Sequence, residues 1–141
     1  MPAFDPLTIG DLTIDPPVML APMAGYTKPP FRTLCLERHC GLVFTEMVAA
    51  KGVAQRQRRS TCLLETFPNE RPIAAHIFGA EVDALLNAAQ YVDALGCFDL
   101  LDINCGCPAP KIARSGAGIS LMKNPDLIYT IVHTLSQAIS L

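Results

Sequence analysis

The segment Asn104-Cys105-Gly106-Cys107-Pro108 holds the side chains of this sequence best suited to chemistry. A thiol, with an ordinary pKa of about 8.5, can deliver a proton to carbon near neutral pH better than a carboxylic acid of pKa about 4. Gly106 and Pro108 indicate a fixed loop around Cys107, and the amide of Asn104 offers a donor and an acceptor that can orient a bound ring. We therefore predict that Cys107 is a general acid; the competing interpretation is a structural cysteine in a tight loop.

The other cysteines do not predict a metal site. Zinc sites need paired ligands at suitable spacings, and only Cys105 and Cys107 lie close together in the sequence. No metal ligand is therefore expected. The remaining thiols are interpreted as buried side chains of a cytosolic protein: Cys35, Cys40, Cys62, Cys97 and Cys105.

Four apolar segments, each followed by a helical pattern, must position this chemistry. The segments interpreted as strands are 18–21, 42–45, 72–78 and 98–103, and the first is expected to be buried on both faces. A short hairpin is predicted over residues 7–14, around Gly10-Asp11. The repeated order of strand and helix predicts an α/β fold with parallel strands.

Helix boundaries can be read from capping and breaking residues. The first helix is predicted from Pro29 to before Gly41, because Phe31, Leu34, Cys35 and Arg38 recur at helical spacing, and broken helical stretches are expected over 47–64. The next runs from Val82 to a cap at Gly96, and the last starts at an Asn124 cap. In parallel α/β folds the loops after the strands share one edge, where active sites gather. That edge collects Pro22-Met23-Ala24-Gly25, Glu46-Met47, His76 and Asn104-Cys105-Gly106-Cys107-Pro108.

The charge is small but unevenly distributed. A net charge of −2 argues against a protein that binds nucleic acid over its whole surface. There are two basic stretches, Lys51 with 56–59 and Lys111 with Arg114. Each is interpreted either as solvated surface or, if both lie on one face, as part of a surface that contacts phosphates. The sequence has no apolar run long enough to span a membrane and no signal peptide, so a cytoplasmic location and no membrane partner are expected.

Several motifs, in order and spacing, are similar to those of the tRNA-dihydrouridine synthases, and the similarity covers nearly the whole chain. They are Ala21-Pro22-Met23-Ala24-Gly25-Tyr26-Thr27, Thr45-Glu46-Met47, Lys51-Gly52, Phe78-Gly79, Asp102-Ile103-Asn104-Cys105-Gly106-Cys107-Pro108 and Gly116-Ala117-Gly118. The Asn-x-Gly-Cys-Pro element is the most discriminating of these.

The resemblance implies a TIM barrel that binds FMN at the strand ends and is reduced by NADPH. Hydride then passes to C6 of a tRNA uridine, and Cys107 protonates C5. By the same resemblance Pro22, Met23 and Ala24 pack along the flavin, and Asn104 contacts the flavin or the uracil. His76 replaces the usual glutamine, so it implies either a flavin contact or a satisfied core histidine.

Three further residues are assigned to the substrate. Glu46 is interpreted as an acceptor near the substrate or, equally, as an exposed salt-bridging residue. Lys111 and Arg114 follow the proposed acid and are interpreted as contacts to tRNA phosphates.

Residues 1–141 correspond to about four β/α units of such a barrel, with the N-terminal hairpin. The other half barrel and the helical tRNA-binding domain of the family are absent from this sequence. We therefore expect a chain that is unstable, inactive or homodimeric through exposed sheet edges. Two alternatives remain: a flavin-barrel reductase of a free pyrimidine, of dihydroorotate or dihydropyrimidine dehydrogenase type, and a non-catalytic fragment that only self-associates.

Overall fold

A computed structural model describes residues 4–141, in which strands and helices alternate along the chain. The strands are β1 (Leu7–Ile9), β2 (Leu12–Ile14), β3 (Val43–Phe44), β4 (Val48–Ala49), β5 (Ile73–Phe78) and β6 (Leu100–Ile103). The α-helices are α1 (Pro29–Glu37), α2 (Ala50–Ala54), α3 (Arg58–Thr61), α4 (Val82–Leu95), α5 (Pro110–Ala113) and α6 (Pro125–Ser136). Two 3₁₀ helices cover Cys62–Leu64 and Gly118–Lys123.

The N-terminal hairpin confirms the prediction for residues 7–14. Strands β1 and β2 pair antiparallel, with Leu7 opposite Ile14 and Ile9 opposite Leu12. Gly10 adopts φ +56° in the turn, a conformation that favours glycine. Ile14 is fully buried and packs with Leu42 and Ala74, so the hairpin covers one face of the main sheet.

The main sheet is parallel and is centred on β5. Strands β3 and β4 both pair with one side of β5, and β6 pairs with the other side. Residues 45–47, between β3 and β4, interrupt what would otherwise be one continuous strand alongside β5. This arrangement confirms the predicted α/β class with parallel strands and helical connections.

The segment at 18–21 forms less of a strand than predicted. Met19 makes a single parallel bridge to Leu42, supported by hydrogen bonds from Leu20 N to Leu42 O (2.9 Å) and from Gly41 N to Val18 O (2.8 Å). Val18 is 51% exposed and Met19 37% exposed, so the expectation of burial on both faces was wrong. Within residues 4–141 this segment has a strand neighbour on one side only, which leaves its outer side uncovered.

The two faces of β5 have different roles. Ile73, Ala75 and Ile77 belong to the large core that the sheet forms with α4 and α6. Ala74 belongs instead to the small cluster beneath the hairpin. Because side chains alternate along a strand, His76 shares the face of Ala74 and points away from the helices.

The helix ends follow the predicted caps. Gly96 terminates α4 in the left-handed conformation (φ +63°), and the side chain of Asn124 accepts a hydrogen bond from Leu127 N (3.2 Å) at the start of α6. No helix in the described part of the chain is long and apolar enough to cross a membrane.

The first helix is rotated relative to the prediction. Phe31 and Leu34, expected on its apolar face, are 39% and 55% exposed, whereas Arg32 is buried. Cys35, which was predicted at the same helical spacing, does pack against the core, as does Leu36. Arg32 has its ion-pair partner inside the protein, and this turns the Arg32 face of the helix inward.

Candidate active site

A cleft of about 500 Å³ opens where the strands of the main sheet end, within the range of about 300–1,000 Å³ typical of ligand sites. Four segments meet there: the loop after the first strand segment, the break between β3 and β4, the strand β5, and the end of β6 with its loop. The lining residues are Pro22, Ala24, Met47, His76, Asp102, Ile103, Asn104, Cys105, Gly106 and Cys107. Most of the residues predicted to share this edge therefore do meet in one cleft.

His76 lies at the base of the cleft and is held on several sides. It is directly opposite Asp102 in the β5–β6 register, and its Nδ1 pairs with Asp102 Oδ2. Its Nε2 lies 2.9 Å from Asn104 Nδ2, and its backbone N donates to Thr45 Oγ1 (2.9 Å). With the side chain 7% exposed, both ring nitrogens have protein partners. The flavin contact assigned to His76 stays a prediction.

Asn104 organises the loop that carries Cys107. Its Oδ1 accepts hydrogen bonds from Gly106 N (3.2 Å) and Cys107 N (2.9 Å), while its backbone N donates to Ile77 O (2.8 Å). The far side of the loop is fixed as well, because Ile119 N donates to Cys107 O (3.0 Å). The predicted acid thus sits at the cleft on a backbone that is bonded from both sides.

Gly118 supports the same loop, although sequence reasoning gave it no role of its own. It has φ +59°, and a Cβ added there would lie 2.6 Å from Cys107 O and 2.9 Å from Ile112 Cγ2. The absence of a side chain lets the Gly118 backbone pack against Cys107. The sequence signal for Gly118 was the Gly116-Ala117-Gly118 segment, which lies nine to eleven residues after Cys107.

Cys105 lines the same cleft but differs from Cys107 in its surroundings. Burial raises the pKa of the Cys105 thiol, and the nearby negative charge of Asp102 raises it further. Both effects disfavour the thiolate. Asp102, which was quoted only as part of a motif, therefore acts on two cleft residues, His76 and Cys105.

Glu46 binds the loop opposite the cysteine. Its side chain is buried, with the residue 9% exposed, and its Oε2 accepts the backbone N–H of Gly25. The alternative of an exposed salt-bridging residue was wrong, because the carboxylate is turned inward to this amide. Nearby, Pro22 and Ala24 line the cleft, whereas Met23 is not among the lining residues.

A buried ion pair between Arg32 and Glu70 stabilises the loop that contains Pro22 and Ala24. Arg32 donates to Glu70 Oε2 (2.9 Å) and to the backbone oxygens of Thr27 (2.7 Å) and Glu65 (2.8 Å). Thr27 Oγ1 in turn bonds the backbone of Met23 at 3.1 Å. The chain of contacts runs from the protein interior to the cleft wall. Sequence reasoning missed it, because no local pattern pairs residues 38 positions apart.

The two basic stretches lie in different places. Lys111 and Arg114 are exposed on and just after α5, one turn beyond the cysteine loop, although neither lines the cleft. Arg56 stacks on the ring of Tyr91 in α4, 3.9 Å from its centroid. Arg58 lines a groove with Leu95 at the C-terminal end of α4, away from the cleft. The expectation of both stretches on one face was therefore wrong for Arg56 and Arg58.

The cysteines are less buried than predicted. All six are free; Cys62 is exposed and the other five are partly buried. Within residues 4–141, no group of three or more His, Cys, Asp and Glu side chains is arranged to hold a metal ion.

Comparison with known proteins gives one consistent family. A family model described as dihydrouridine synthase (Dus) matches residues 19–141. A probable tRNA-dihydrouridine synthase of Treponema pallidum is 31% identical over 136 residues, covering 96% of this chain and 40% of that protein. tRNA-dihydrouridine synthase B of Xanthomonas campestris pv. campestris is 38% identical over 133 residues, covering 94% and 40%. The chain thus spans about two-fifths of the length of these curated relatives.

Proposed function

The chain belongs to the dihydrouridine synthase family, and we propose that it carries the acid-bearing part of an enzyme that reduces a tRNA uridine to dihydrouridine. The family membership confirms the resemblance drawn from its motifs. The observation that carries the proposal is the position of Cys107 in the cleft, on a loop bonded to Asn104 Oδ1 and Ile119 N.

The cleft fits the ring of a flavin better than its phosphate. Pro22, Ala24 and Met47 contribute apolar surface to the lining, and Asn104 and Cys107 contribute an amide and a thiol. No lysine or arginine is among the lining residues, so an anionic phosphate has no cationic partner within the cleft. We propose that Pro22, Ala24 and the Met23 backbone would lie along the ring of FMN.

When bound in this cleft, reduced FMN would supply the hydride for C6 of the uracil, with NADPH as the source of electrons. The protein residues then have the remaining tasks. The Sγ–H of Cys107 gives its proton to C5, and the thiolate left behind regains a proton from solvent. Asn104 cannot orient a substrate through Oδ1, which is occupied by two backbone amides. Its role is to hold the acid in position.

The exposed charges next to the acid support a polyanionic substrate. Lys111 and Arg114 are three residues apart and follow the cysteine loop directly, so they can contact phosphates beside a base that enters the cleft. We propose that these two residues, and not the stretch at 56–59, contact tRNA. Glu46 shapes the cleft through Gly25 and is not assigned a direct substrate contact.

The parallel strands with helices between them are compatible with part of a TIM barrel, and we propose that architecture for the sheet. In such a barrel His76 and Asp102 would face the interior near the C-terminal ends of the strands. Active sites of these barrels lie at that end. The location of the cleft agrees with this.

The test compares two cysteine variants of the purified chain. Flavin fluorescence measures FMN binding, and absorbance follows the reoxidation of dithionite-reduced flavin after addition of unmodified tRNA. Cys107→Ala should retain FMN binding and slow reoxidation by about 10²–10⁴-fold, the usual contribution of a general acid. Cys62→Ala, which removes an exposed thiol that does not line the cleft, is the control and should leave both measurements near the unaltered values.

Two outcomes would contradict the proposal. If Cys107→Ala reoxidises at the unaltered rate, Cys107 is not the acid. If free uracil or orotate reoxidises the flavin and tRNA does not, the chain belongs to a reductase of free pyrimidines.

A further inference from the structure

The side-chain network beneath Cys107 defines one orientation of the Asn104 amide. Oδ1 faces two backbone donors, Gly106 N and Cys107 N. The opposite end, Nδ2, faces Met47 Sδ at 3.0 Å and His76 Nε2 at 2.9 Å. Turning the amide over would set its NH₂ group against two N–H donors and its oxygen against a sulfur. Only one orientation pairs every donor with an acceptor.

This orientation also determines the tautomer of His76. Because Asn104 Nδ2 can only donate, His76 Nε2 has to accept and therefore carries no proton. The remaining proton of the neutral ring is on Nδ1, where Asp102 Oδ2 accepts it. Nδ1 thus donates to Asp102 and Nε2 accepts from Asn104, and the hydrogen bond at one nitrogen determines whether the other carries a proton.

The geometry points to His76 as a positioning residue for the acid loop: we propose that its neutral ring, oriented by Asp102, holds the Asn104 amide in the orientation that fixes Cys107. The inference rests on the proposed role of Cys107 in uridine reduction. It goes further by assigning a function to the pair of buried His76 and partly exposed Asp102, in which both nitrogens of the ring already have protein partners.

Protonation of His76 should weaken this arrangement. A proton on Nε2 would face the NH₂ of Asn104, so the acceptor becomes a donor and the contact becomes repulsive. The amide then has to turn or withdraw, which takes Oδ1 away from Cys107 N. The titratable groups that line the cleft with the ring are Asp102 on β6 and Cys105 and Cys107 on the following loop. Of these, Asp102 contacts the ring directly.

Nuclear magnetic resonance of the ring nitrogens tests the proposal without flavin, tRNA or turnover. The 141-residue chain is labelled with ¹⁵N, and long-range proton–nitrogen spectra report which imidazole nitrogen carries the proton. His39→Gln and His133→Gln assign the two exposed histidines. Neutral His76 should show a protonated Nδ1 and an unprotonated Nε2.

An acid titration of the same sample examines the connection to the loop. The backbone amide resonances of Gly106 and Cys107 should shift with the same midpoint as the ring of His76. In His76→Gln the residue is neutral at every pH and still offers a donor and an acceptor. The shift at that midpoint should therefore disappear, which a merely structural role for residue 76 does not predict.

Two results would overturn the inference. One is neutral His76 with its proton on Nε2, because Asn104 could not then donate to it. The other is a titration of His76 that leaves the amide of Cys107 unmoved. Since neither measurement uses catalysis, failure of the uridine-reduction proposal, measured by flavin reoxidation, is separate from failure of this one.

Discussion

Gly118→Ala tests whether the backbone behind Cys107 depends on the missing side chain. The new Cβ would lie 2.6 Å from Cys107 O, and ordinary contact begins near 3.4 Å. The carbonyl, or the glycine, must therefore move by about 0.8 Å. Overpacking of this kind costs about 1–3 kcal/mol of unfolding free energy. A side chain at φ +59° costs roughly a further 1–2 kcal/mol.

Gly116→Ala is the matched control. It has φ +80° and so carries a similar conformational cost, but its Cβ would meet only Ala80 Cβ, at 3.4 Å. Urea unfolding followed by circular dichroism should give a loss of about 1–2 kcal/mol for Gly116→Ala and about 2–5 kcal/mol for Gly118→Ala. The difference isolates the contact with Cys107, because the two variants share the change in backbone freedom.

The same pair of variants should separate in flavin reoxidation by tRNA. A displacement approaching 1 Å at a reacting group can reduce a rate by about 100-fold. Gly118→Ala should approach that loss, and Gly116→Ala should not. Equal unfolding free energies within about 0.5 kcal/mol, together with equal rates, would refute the idea that Gly118 supports the acid loop.

Two other predictions concern the carboxylates of Glu70 and Asp102. Glu70→Gln should destabilise the chain by about 3–5 kcal/mol in urea unfolding, because it leaves the buried guanidinium of Arg32 without a negatively charged partner. Glu81→Gln, which removes an exposed ion pair, should cost no more than about 1 kcal/mol. Similar losses for the two variants would contradict the anchoring role of the Arg32–Glu70 pair. Asp102→Asn removes a negative charge that raises the pKa of Cys105. The pH midpoint for alkylation of Cys105 by iodoacetamide, measured by mass spectrometry, should therefore move to lower pH. An unchanged midpoint would mean that Asp102 does not act on that thiol.

The elements of the fold were largely predictable from local patterns. The hairpin at Gly10, the cap at Gly96 and the Asn124 cap all depend on residues within a few positions of one another, and each was confirmed. The segment at 18–21 was not predictable in the same way. Its apolar side chains resembled those of a buried strand, but burial depends on how many neighbouring strands a segment has.

The rotation of α1 shows the same limit. Periodicity favoured Phe31 and Leu34 as the inward face, since both are apolar. The structure buries Arg32 instead, because Glu70 and two backbone oxygens satisfy its charge from distant parts of the chain. A pattern of residue types cannot reveal a partner that arrives through tertiary packing.

The sequence determined which chemistry is available: a cysteine thiol beside an amide, in the motifs of its family, at the end of a parallel strand. The tertiary structure decided how these groups are arranged. The register of β5 against β6 brings His76 opposite Asp102, and packing of the Gly118 backbone supports Cys107. Register and packing depend on contacts between residues far apart in the chain. Residue types and short spacings can therefore single out Cys107 as the proposed acid, but only the folded sheet shows which side chains hold its loop in position.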